Sequence, residues 1–209
     1  MKDWNSRYAK AGTAPDTRLF GDQPSEYLRE VMARSDFRPR SALCLADGDG
    51  RNGGWLAQQG LEVTAVDAST VATEHALAHD AARGRTVERI AADLADWTPP
   101  PGRAWDAVFL MYLQCEAAVR LRAARVAAAA LAPGGWFVAE GFAPAGAGGR
   151  SLGPEDPDLL YEMNDFLDVL CGLEVVEALK GRIRVNDGVR HRGEARVVRL
   201  LLRRPETEA

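Results

Sequence analysis

A glycine-rich stretch, CLADGDGRNG at residues 44–53, is the segment best suited to hold a ligand. It contains a Gly-x-Gly-x-x-Gly spacing, which lets a nucleotide-like ligand approach the backbone closely because glycine has no side chain. Two acidic residues, Asp47 and Asp49, stand beside the glycines. A pyrophosphate would bring negative charge to the same helix N-terminus, so the two carboxylates oppose it unless they point away. The glycine spacing and the charge of the loop therefore favour different ligands.

Two further carboxylates follow strand-like segments. Asp67 ends LEVTAVD, and Asp93 lies in AADL after the next strand-like run. At a strand tip, Asp67 is placed to accept hydrogen bonds from two ribose hydroxyls, and Asp93 could accept one from an adenine amino group. A loop aspartate that only caps a turn is an equally ordinary interpretation of Asp93. The ribose position is shared by enzymes that use NAD and enzymes that use S-adenosylmethionine.

The segments that must position these residues alternate between strand and helix. Strands are predicted at 40–46, 61–67, 86–92, 105–113 and 135–142, with two more near 173–180 and 194–203. Helices are predicted from about residue 26, over 52–60, 69–83, 116–131 and 158–171. This alternation predicts an α/β fold, a Rossmann-like three-layer sandwich. Its seven-stranded sheet is mostly parallel, with an antiparallel edge pair because no helix separates the last two strands. We expect one domain over residues 1–209, with residues 1–38 as an arm and helix that could act as a lid.

In such a sheet the ligand lies outside the carboxyl ends of the strands, where the strand order reverses. S-adenosylmethionine carries a sulfonium, an ammonium and one carboxylate but no phosphate, so an acidic loop suits it better than it suits NAD. The alternative that Asp47 and Asp49 merely face solvent stays open. An NAD-dependent oxidoreductase, with Gly48, Gly50 and Gly53 as its phosphate fingerprint, is the second hypothesis. It would usually need a substrate domain, for which this chain has little room.

Taken together, LCLADGDGRN, VTAVDAST, IAADLADW, WDAVFLMYL and LAPGGWFVAEGF resemble the class I S-adenosylmethionine-dependent methyltransferases over about residues 40–142. The further segments WNSRYA, GRN and GPEDPDLLY resemble the small tellurite-resistance-like and thiopurine-methyltransferase-like branch. The resemblance implies methyl transfer from S-adenosylmethionine to a small-molecule acceptor, such as a soft anion or a thiol. A non-catalytic module that only binds the cofactor is a third hypothesis.

The resemblance also implies which residues hold the cofactor. The set comprises the loop, the strand tips and the lid: Ala46, Asp47, Gly48, Asn52, Asp67, Ala68, Asp93, Leu94, Met111, Trp4, Arg7 and Tyr8. Met111 is expected near the sulfonium, and Arg7 could pair with the cofactor carboxylate, although Trp4 and Tyr8 could simply pack the arm onto the sheet. Many family members have an acidic residue where Cys44 stands and a glycine at Ala46, so water or the loop aspartates would have to replace that acid.

On the acceptor side, the resemblance implies a substrate-side histidine at His191, with Arg190 and Arg192 beside it as a basic cluster for an anionic substrate. An exposed, charged hairpin is the alternative. Tyr112, Gln114 and Phe142 are candidates for acceptor contact, and Tyr161 lies in a segment that could cover the pocket. His75 and His79 have the i, i+4 spacing of a metal pair, but a solvated helix face is favoured because no third ligand follows. No metal is predicted.

The composition restricts the remaining possibilities. The 209 residues carry a formal net charge of −4, which disfavours a nucleic-acid partner. The polar start lacks a signal-peptide core, and no apolar run reaches the length of a membrane span. Three well-separated cysteines, Cys44, Cys115 and Cys171, suit reduced thiols in the cytoplasm. We expect a cytoplasmic monomer or homodimer that contacts neither nucleic acid nor membrane.

Overall fold

The computed structural model describes residues 3–13, 18–146, 151–187 and 191–206. Its strands form a seven-stranded sheet in the order β3-β2-β1-β4-β5-β7-β6. The strands are β1 (Ser41–Leu45), β2 (Glu62–Asp67), β3 (Glu88–Ala91), β4 (Trp105–Met111), β5 (Leu131–Phe142), β6 (Glu174–Asn186) and β7 (Arg192–Arg203). The helices are α1 (Trp4–Lys10), α2 (Glu26–Met32), α3 (Arg51–Gln58), α4 (Thr70–Ala82), α5 (Ala117–Ala130) and α6 (Met163–Val169), and a short 3-10 helix spans Pro157–Leu159.

The strand pairing confirms the predicted fold class. Strands β3, β2, β1, β4 and β5 pair in parallel, whereas β7 pairs antiparallel with both β5 and β6. From β1 the chain adds β2 and β3 on one side of the sheet and then returns to add β4 on the other side. The strand order therefore reverses between β1 and β4, which makes the loops after these strands the expected place for a ligand.

Successive side chains of the central strands point to opposite faces of the sheet. On one face, Leu43 and Leu45 pack in a cluster with the buried alanines of α5 and with Phe166 of α6. On the other face, Ala42 and Cys44 pack with residues of α2 and α3. Cys44 is thus a core residue, and burial raises the pKa of its thiol far above the usual range.

Several elements differ from the sequence-based expectations: β5 begins at Leu131 rather than at 135, and β6 extends to Asn186 rather than ending near 180. The arm contains helix α1, which begins after Asp3, whose carboxylate accepts a hydrogen bond of 3.1 Å from the backbone of Ser6. The helix predicted over 158–171 is instead a 3-10 turn followed by the shorter α6. The buried Arg120 guanidinium donates hydrogen bonds to the carbonyls of Asp158 (3.2 Å) and Leu160 (2.7 Å), so these carbonyls are not available to helix N–H groups.

The structure offers no candidate for a membrane span: within the described ranges, every helix is too short or too polar to cross a bilayer.

Candidate functional site

A cavity of about 370 Å³ lies at the carboxyl ends of β1, β2 and β4, with α1 as its roof. All residues predicted to contact the cofactor line it: Trp4, Arg7, Tyr8, Ala46, Asp47, Gly48, Asn52, Asp67, Ala68, Asp93, Leu94 and Met111. Of the acceptor-side predictions, Tyr112, Gln114, Phe142 and His191 line it too. The structure thus brings the two predicted groups into one continuous space of a size that suits a small molecule.

The glycine loop is held in left-handed backbone conformations. Gly48 and Gly50 have φ angles of 58° and 87°, and Ala46, a residue with a Cβ, has a φ of 57°. The N–H of Ala46 donates a 2.8 Å hydrogen bond to the carbonyl of Val66 at the end of β2, which fixes this turn. A Cβ at Gly48 would overlap the hydroxyl of Tyr8. The loop therefore carries backbone strain at Ala46 and needs glycine at position 48 to let α1 close over it.

We expect Ala46→Gly to raise the free energy of unfolding by about 0.5–1 kcal/mol. Glycine relieves a left-handed conformation that costs an L-residue about 1–2 kcal/mol, less the greater entropy of glycine in the unfolded chain. Chemical denaturation measures the change. Ala42→Gly, within the buried strand β1 that precedes this turn, serves as the control and should lower stability; a loss of stability in both variants would contradict the strain at Ala46.

The two loop aspartates neither face solvent nor present free charge to a ligand. Asp47 accepts hydrogen bonds from the backbone N–H of Gly53 (3.0 and 3.2 Å) and pairs with the Arg89 guanidinium at 2.6 Å. Asp49 pairs with Arg18 at 3.1 Å. Burial raises the pKa of Asp47, and Arg89 opposes that rise. The charge of the loop is neutralised within the protein, so its sign does not discriminate between NAD and S-adenosylmethionine as the sequence suggested.

The N–H groups of the three loop glycines all donate within the protein. The N–H of Gly48 donates to the Asp67 carboxylate at 2.7 Å. The N–H of Gly50 donates to the carbonyl of Asp47 at 3.1 Å, and that of Gly53 donates to the Asp47 carboxylate. Asp47 therefore orders the loop in place of the acid missing at position 44. A phosphate would have to displace these bonds to use the helix N-terminus in the usual way.

Asp67 lies at the tip of β2 with both carboxylate oxygens oriented by the backbone. One accepts the Gly48 N–H, and the other accepts the N–H of Ser69 at 2.8 Å. Burial raises the pKa of Asp67 to about 6, although the two backbone hydrogen bonds act in the opposite direction. Its remaining lone pairs are available to hydroxyl donors in the cavity. Asp93 both lines the cavity and caps its own turn, with Oδ1 accepting the N–H of Ala95 at 2.9 Å, so its two interpretations are compatible.

The roof of the cavity is anchored to α4. Asn5 on α1 lies 2.7 Å from the Ser69 hydroxyl, and Tyr8 is buried against Ala72. The Arg7 guanidinium stacks over the Trp4 ring at 4.4 Å. The Asp49 and Thr13 carbonyls both contact the ring nitrogens of His79, at 3.3 and 2.7 Å. His79 is therefore buried and fastens the arm, so the prediction of a solvated histidine face does not hold for it.

His191 lies in a box of aromatic rings rather than in a basic cluster. Its ring centroid is 4.6 Å from Tyr112, 4.9 Å from Phe20 and 5.0 Å from Phe142. Burial, followed by the nearby charge of Arg51, lowers the pKa of His191 to about 3. Its Nδ1 is buried and has no hydrogen-bond partner among the described residues. The imidazole is thus neutral at physiological pH and keeps one free nitrogen.

The other acceptor-side predictions divide between the cavity and other places. The side-chain amide of Gln114 is engaged by the backbone. Its Nε2 donates to the carbonyl of Leu159, and its Oε1 accepts the N–H of Phe142 at 2.9 Å. Tyr161 is buried beneath Phe166 and does not line the cavity. Arg192 is exposed and lies outside the cavity, and Arg190 falls outside the described residues. Among the described residues, the hairpin therefore contributes no cation to the cavity beside His191, and the prediction for Arg190 stays a prediction.

Two lining residues, Phe20 and Arg51, had no assigned role in the sequence analysis. Phe20 follows an irregular segment, so no periodic pattern marks it. Arg51 is the first residue of α3 and is part of the GRN motif, which was a usable signal. Both lie within the cavity wall beside the predicted residues.

Residues 42–135 match the model of a protein family described as Methyltransferase domain. The matched segment contains the glycine loop, Asp67, Asp93 and Met111. A sequence search against curated proteins gave no match. Over these residues, somewhat under half of the chain, the protein is similar to methyltransferase domains.

Solved structures with the same fold share little sequence with this chain. The N-methyltransferase NodS from Bradyrhizobium japonicum WM9, solved with S-adenosyl-L-homocysteine, is 16% identical, with a TM-score of 0.69 over 98% of this chain and 100% of NodS. TehB from Haemophilus influenzae is 15% identical, with a TM-score of 0.68 over 83% of this chain and 60% of TehB. The [4+2]-cyclase SpnF is 18% identical, with a TM-score of 0.67 over 86% of this chain and 80% of SpnF. These similarities show the fold, and activity must be argued from the site.

Proposed function

We propose that this chain, which matches a methyltransferase-domain family over residues 42–135, transfers a methyl group from S-adenosylmethionine to a small-molecule acceptor. The observation that carries the proposal is the Asp67 carboxylate, which two backbone N–H groups orient at the floor of the cavity. A carboxylate ordered in this way can accept two ribose hydroxyls at once. The roof formed by α1 leaves a space that suits a small acceptor rather than a macromolecule.

The residues around this floor fit the other parts of the cofactor. Asp93 offers an acceptor for the adenine amino group, with Ala68 and Leu94 as apolar neighbours. Gly48 leaves the backbone open under the roof, and Arg7 is a cation without an ion-pair partner in the described ranges, which suits the cofactor carboxylate. When bound, S-adenosylmethionine supplies a methyl group already activated by its sulfonium. The internal use of all three glycine-loop N–H groups disfavours NAD at the same place.

The part of the cavity around His191 suits a methyl acceptor whose nucleophilic atom needs little help from a general base. An in-line methyl transfer gains much of its rate from placement of the nucleophile, and a thiolate or soft anion attacks without proton removal in the enzyme. A His191 imidazole with a pKa of about 3 is a weak base, so its role is to accept a hydrogen bond at Nδ1 and orient the acceptor. The surrounding rings exclude water from that contact.

The cofactor contact at Asp67 should depend on pH. Because burial raises its pKa to about 6, the carboxylate is mostly ionised at pH 7.5 and mostly protonated at pH 5. Ribose hydroxyls favour the ionised form, so the affinity for S-adenosyl-L-homocysteine should fall about tenfold from pH 7.5 to pH 5. Calorimetry at several pH values measures this change. Asp67→Asn should show a flat profile, and an affinity that rises towards pH 5 would contradict the assignment.

The proposal also includes the tellurite-resistance-like branch of the family and a location in the cytoplasm. The fold similarity to TehB supports the tellurite-resistance-like branch that the sequence motifs suggest. Cys44, Cys115 and Cys171 are all free thiols, which supports a reducing compartment such as the cytoplasm.

A second candidate is a chain that binds the cofactor without transferring its methyl group. The [4+2]-cyclase SpnF has the same fold, so the fold alone does not guarantee methyl transfer. The test is the formation of S-adenosyl-L-homocysteine from S-adenosylmethionine with a panel of small thiols, phenols and oxyanions. We expect turnover with at least one thiol or phenol. Tight cofactor binding with no turnover across the panel would favour the non-catalytic alternative.

A further inference from the structure

Arg51 places a buried positive charge in the wall of the cavity. It is 7% exposed and begins α3. One of its terminal nitrogens, Nη1, donates to the carbonyls of Gln23 (3.2 Å) and Asp187 (2.9 Å). Its other nitrogens make no hydrogen bond to any described residue, and none of the described carboxylates lies within ion-pair distance of it. Part of the guanidinium fork therefore remains free towards the cavity.

The acidic groups nearest to Arg51 are engaged elsewhere. Asp49 pairs with Arg18, and Asp47 pairs with Arg89. Oδ1 of Asp187 accepts the backbone N–H of Glu26 at 2.7 Å, and Oδ2 is buried without a hydrogen-bond partner among the described residues; neither oxygen forms an ion pair with Arg51, which contacts only the main-chain carbonyl of Asp187. A buried cation without a neutralising partner is costly. Arg51 is therefore a place where an anionic group of a ligand would be stabilised.

The cofactor does not account for both cations in the cavity. Arg7 and Arg51 both line the space, and within the described part of the chain neither has an acidic partner. S-adenosylmethionine has one carboxylate, which the proposed function assigns to Arg7 on the roof. Arg51 donates to the carbonyl of Asp187, whose backbone N–H donates to the carbonyl of His191 at 2.8 Å, so Arg51 adjoins the His191 side of the cavity. This is the half of the cavity that holds the aromatic box.

Resting on the function proposed above, we infer that the methyl acceptor carries an anionic group, such as a carboxylate, that the free side of the Arg51 fork binds. The flat or apolar body of the acceptor then packs against the rings of Phe20, Phe142 and His191. The acceptor's sulfur or oxygen forms a bond to the methyl carbon as the bond from that carbon to the sulfonium breaks. The released electron pair stays on the cofactor sulfur, and any acceptor proton leaves to solvent. Arg51 replaces the exposed Arg192 as the residue that selects for negative charge.

The test compares benzoate with benzamide, which have nearly the same shape but differ in charge. Each is titrated by calorimetry into the full-length protein saturated with S-adenosyl-L-homocysteine. The wild-type complex should bind benzoate about tenfold more tightly than benzamide. Arg51→Gln should abolish this preference while its affinity for S-adenosyl-L-homocysteine stays within about threefold of wild type. Arg192→Gln, at an exposed position outside the cavity, is the matched control and should keep the preference.

Arg51 also tethers two loops, so Arg51→Lys is tested beside Arg51→Gln, with thermal unfolding of each. Lysine can still donate to the carbonyls but cannot offer a fork, so it should retain the fold and reduce the preference. Equal binding of benzoate and benzamide by the wild-type complex would overturn this inference and leave the proposed function standing. The variant Arg7→Gln, which removes the cation assigned to the cofactor carboxylate, is measured beside them. If Arg51→Gln lost as much affinity for S-adenosyl-L-homocysteine as Arg7→Gln, this inference would also be overturned. A protein that does not bind S-adenosyl-L-homocysteine would overturn the proposed function first, and this inference with it.

Discussion

Replacing Asp67 with alanine is expected to weaken the binding of S-adenosyl-L-homocysteine about 100-fold or more. The variant loses an ionised acceptor for two hydroxyl donors, and each hydrogen bond to a charged group is worth about 1.5–3 kcal/mol. It also frees the N–H groups of Gly48 and Ser69, which the carboxylate holds at 2.7 and 2.8 Å. The loop under the cofactor then loses its orientation. Calorimetric titration of the wild-type protein and the variant measures the difference.

Asp168→Ala is the matched control for this experiment. Asp168 is an exposed aspartate on α6, and it does not line the cavity. Its replacement should leave the affinity for S-adenosyl-L-homocysteine unchanged. Circular dichroism checks that both variants remain folded. An Asp67→Ala protein that is folded and binds as tightly as wild type would refute the role of Asp67 at the ribose.

The second large effect is expected on the stability of the protein when Arg89, which pairs with Asp47 of the glycine loop, is replaced. Its buried guanidinium pairs with Asp47 at 2.6 Å and with Asp80 at 2.8 Å. Burial alone would lower the pKa of Arg89, but the two carboxylates raise it. Arg89→Met leaves both carboxylates buried without their cation. Because breaking a buried pair on one side is strongly destabilising, we expect a loss of about 3–5 kcal/mol in the free energy of unfolding.

The pH dependence of this loss identifies its cause. Without Arg89, the pKa of Asp47 in the folded protein lies further above its value in the unfolded chain. Stability of the variant should therefore increase as the pH falls through that raised pKa, so the deficit at pH 5 is smaller than at pH 8. Arg83→Met, which removes a half-exposed pair with Asp22, is the control and should cost at most about 1 kcal/mol. A small, pH-independent loss in Arg89→Met would contradict the account of the loop.

The sequence predicted the frame of the site well because the signals for strands are local. WDAVFLMYL predicts a strand covered on both faces, and β4 is buried along nearly its whole length. Asp67 and Asp93 were recognised because they end or follow such strands, and parallel strands bring their carboxyl ends to one edge of the sheet. The antiparallel pair was also foreseeable, since no helix separates β6 from β7. These inferences needed only the order of short segments.

What the sequence could not show are the contacts between distant residues. Asp47 and Arg89 are far apart in the chain, and only the pairing of β1 with β2 and of β2 with β3 brings them together. The same holds for Asp49 with Arg18 and for Arg51 with the carbonyl of Asp187. As a result, the sequence suggested an acidic loop and a basic hairpin, whereas the folded chain has a neutralised loop and a free cation at Arg51. Pairing neutralises the loop, and the exposed Arg192 lies outside the cavity.

The most direct test of the account is a pair of calorimetric titrations of the wild-type protein, one with S-adenosyl-L-homocysteine and one with NAD. We expect saturable binding of S-adenosyl-L-homocysteine at one site per chain and no detectable heat of binding for NAD. This follows from Asp67 at the floor of the cavity and from the glycine-loop N–H groups that the protein itself occupies. Saturable binding of NAD without binding of S-adenosyl-L-homocysteine would contradict it.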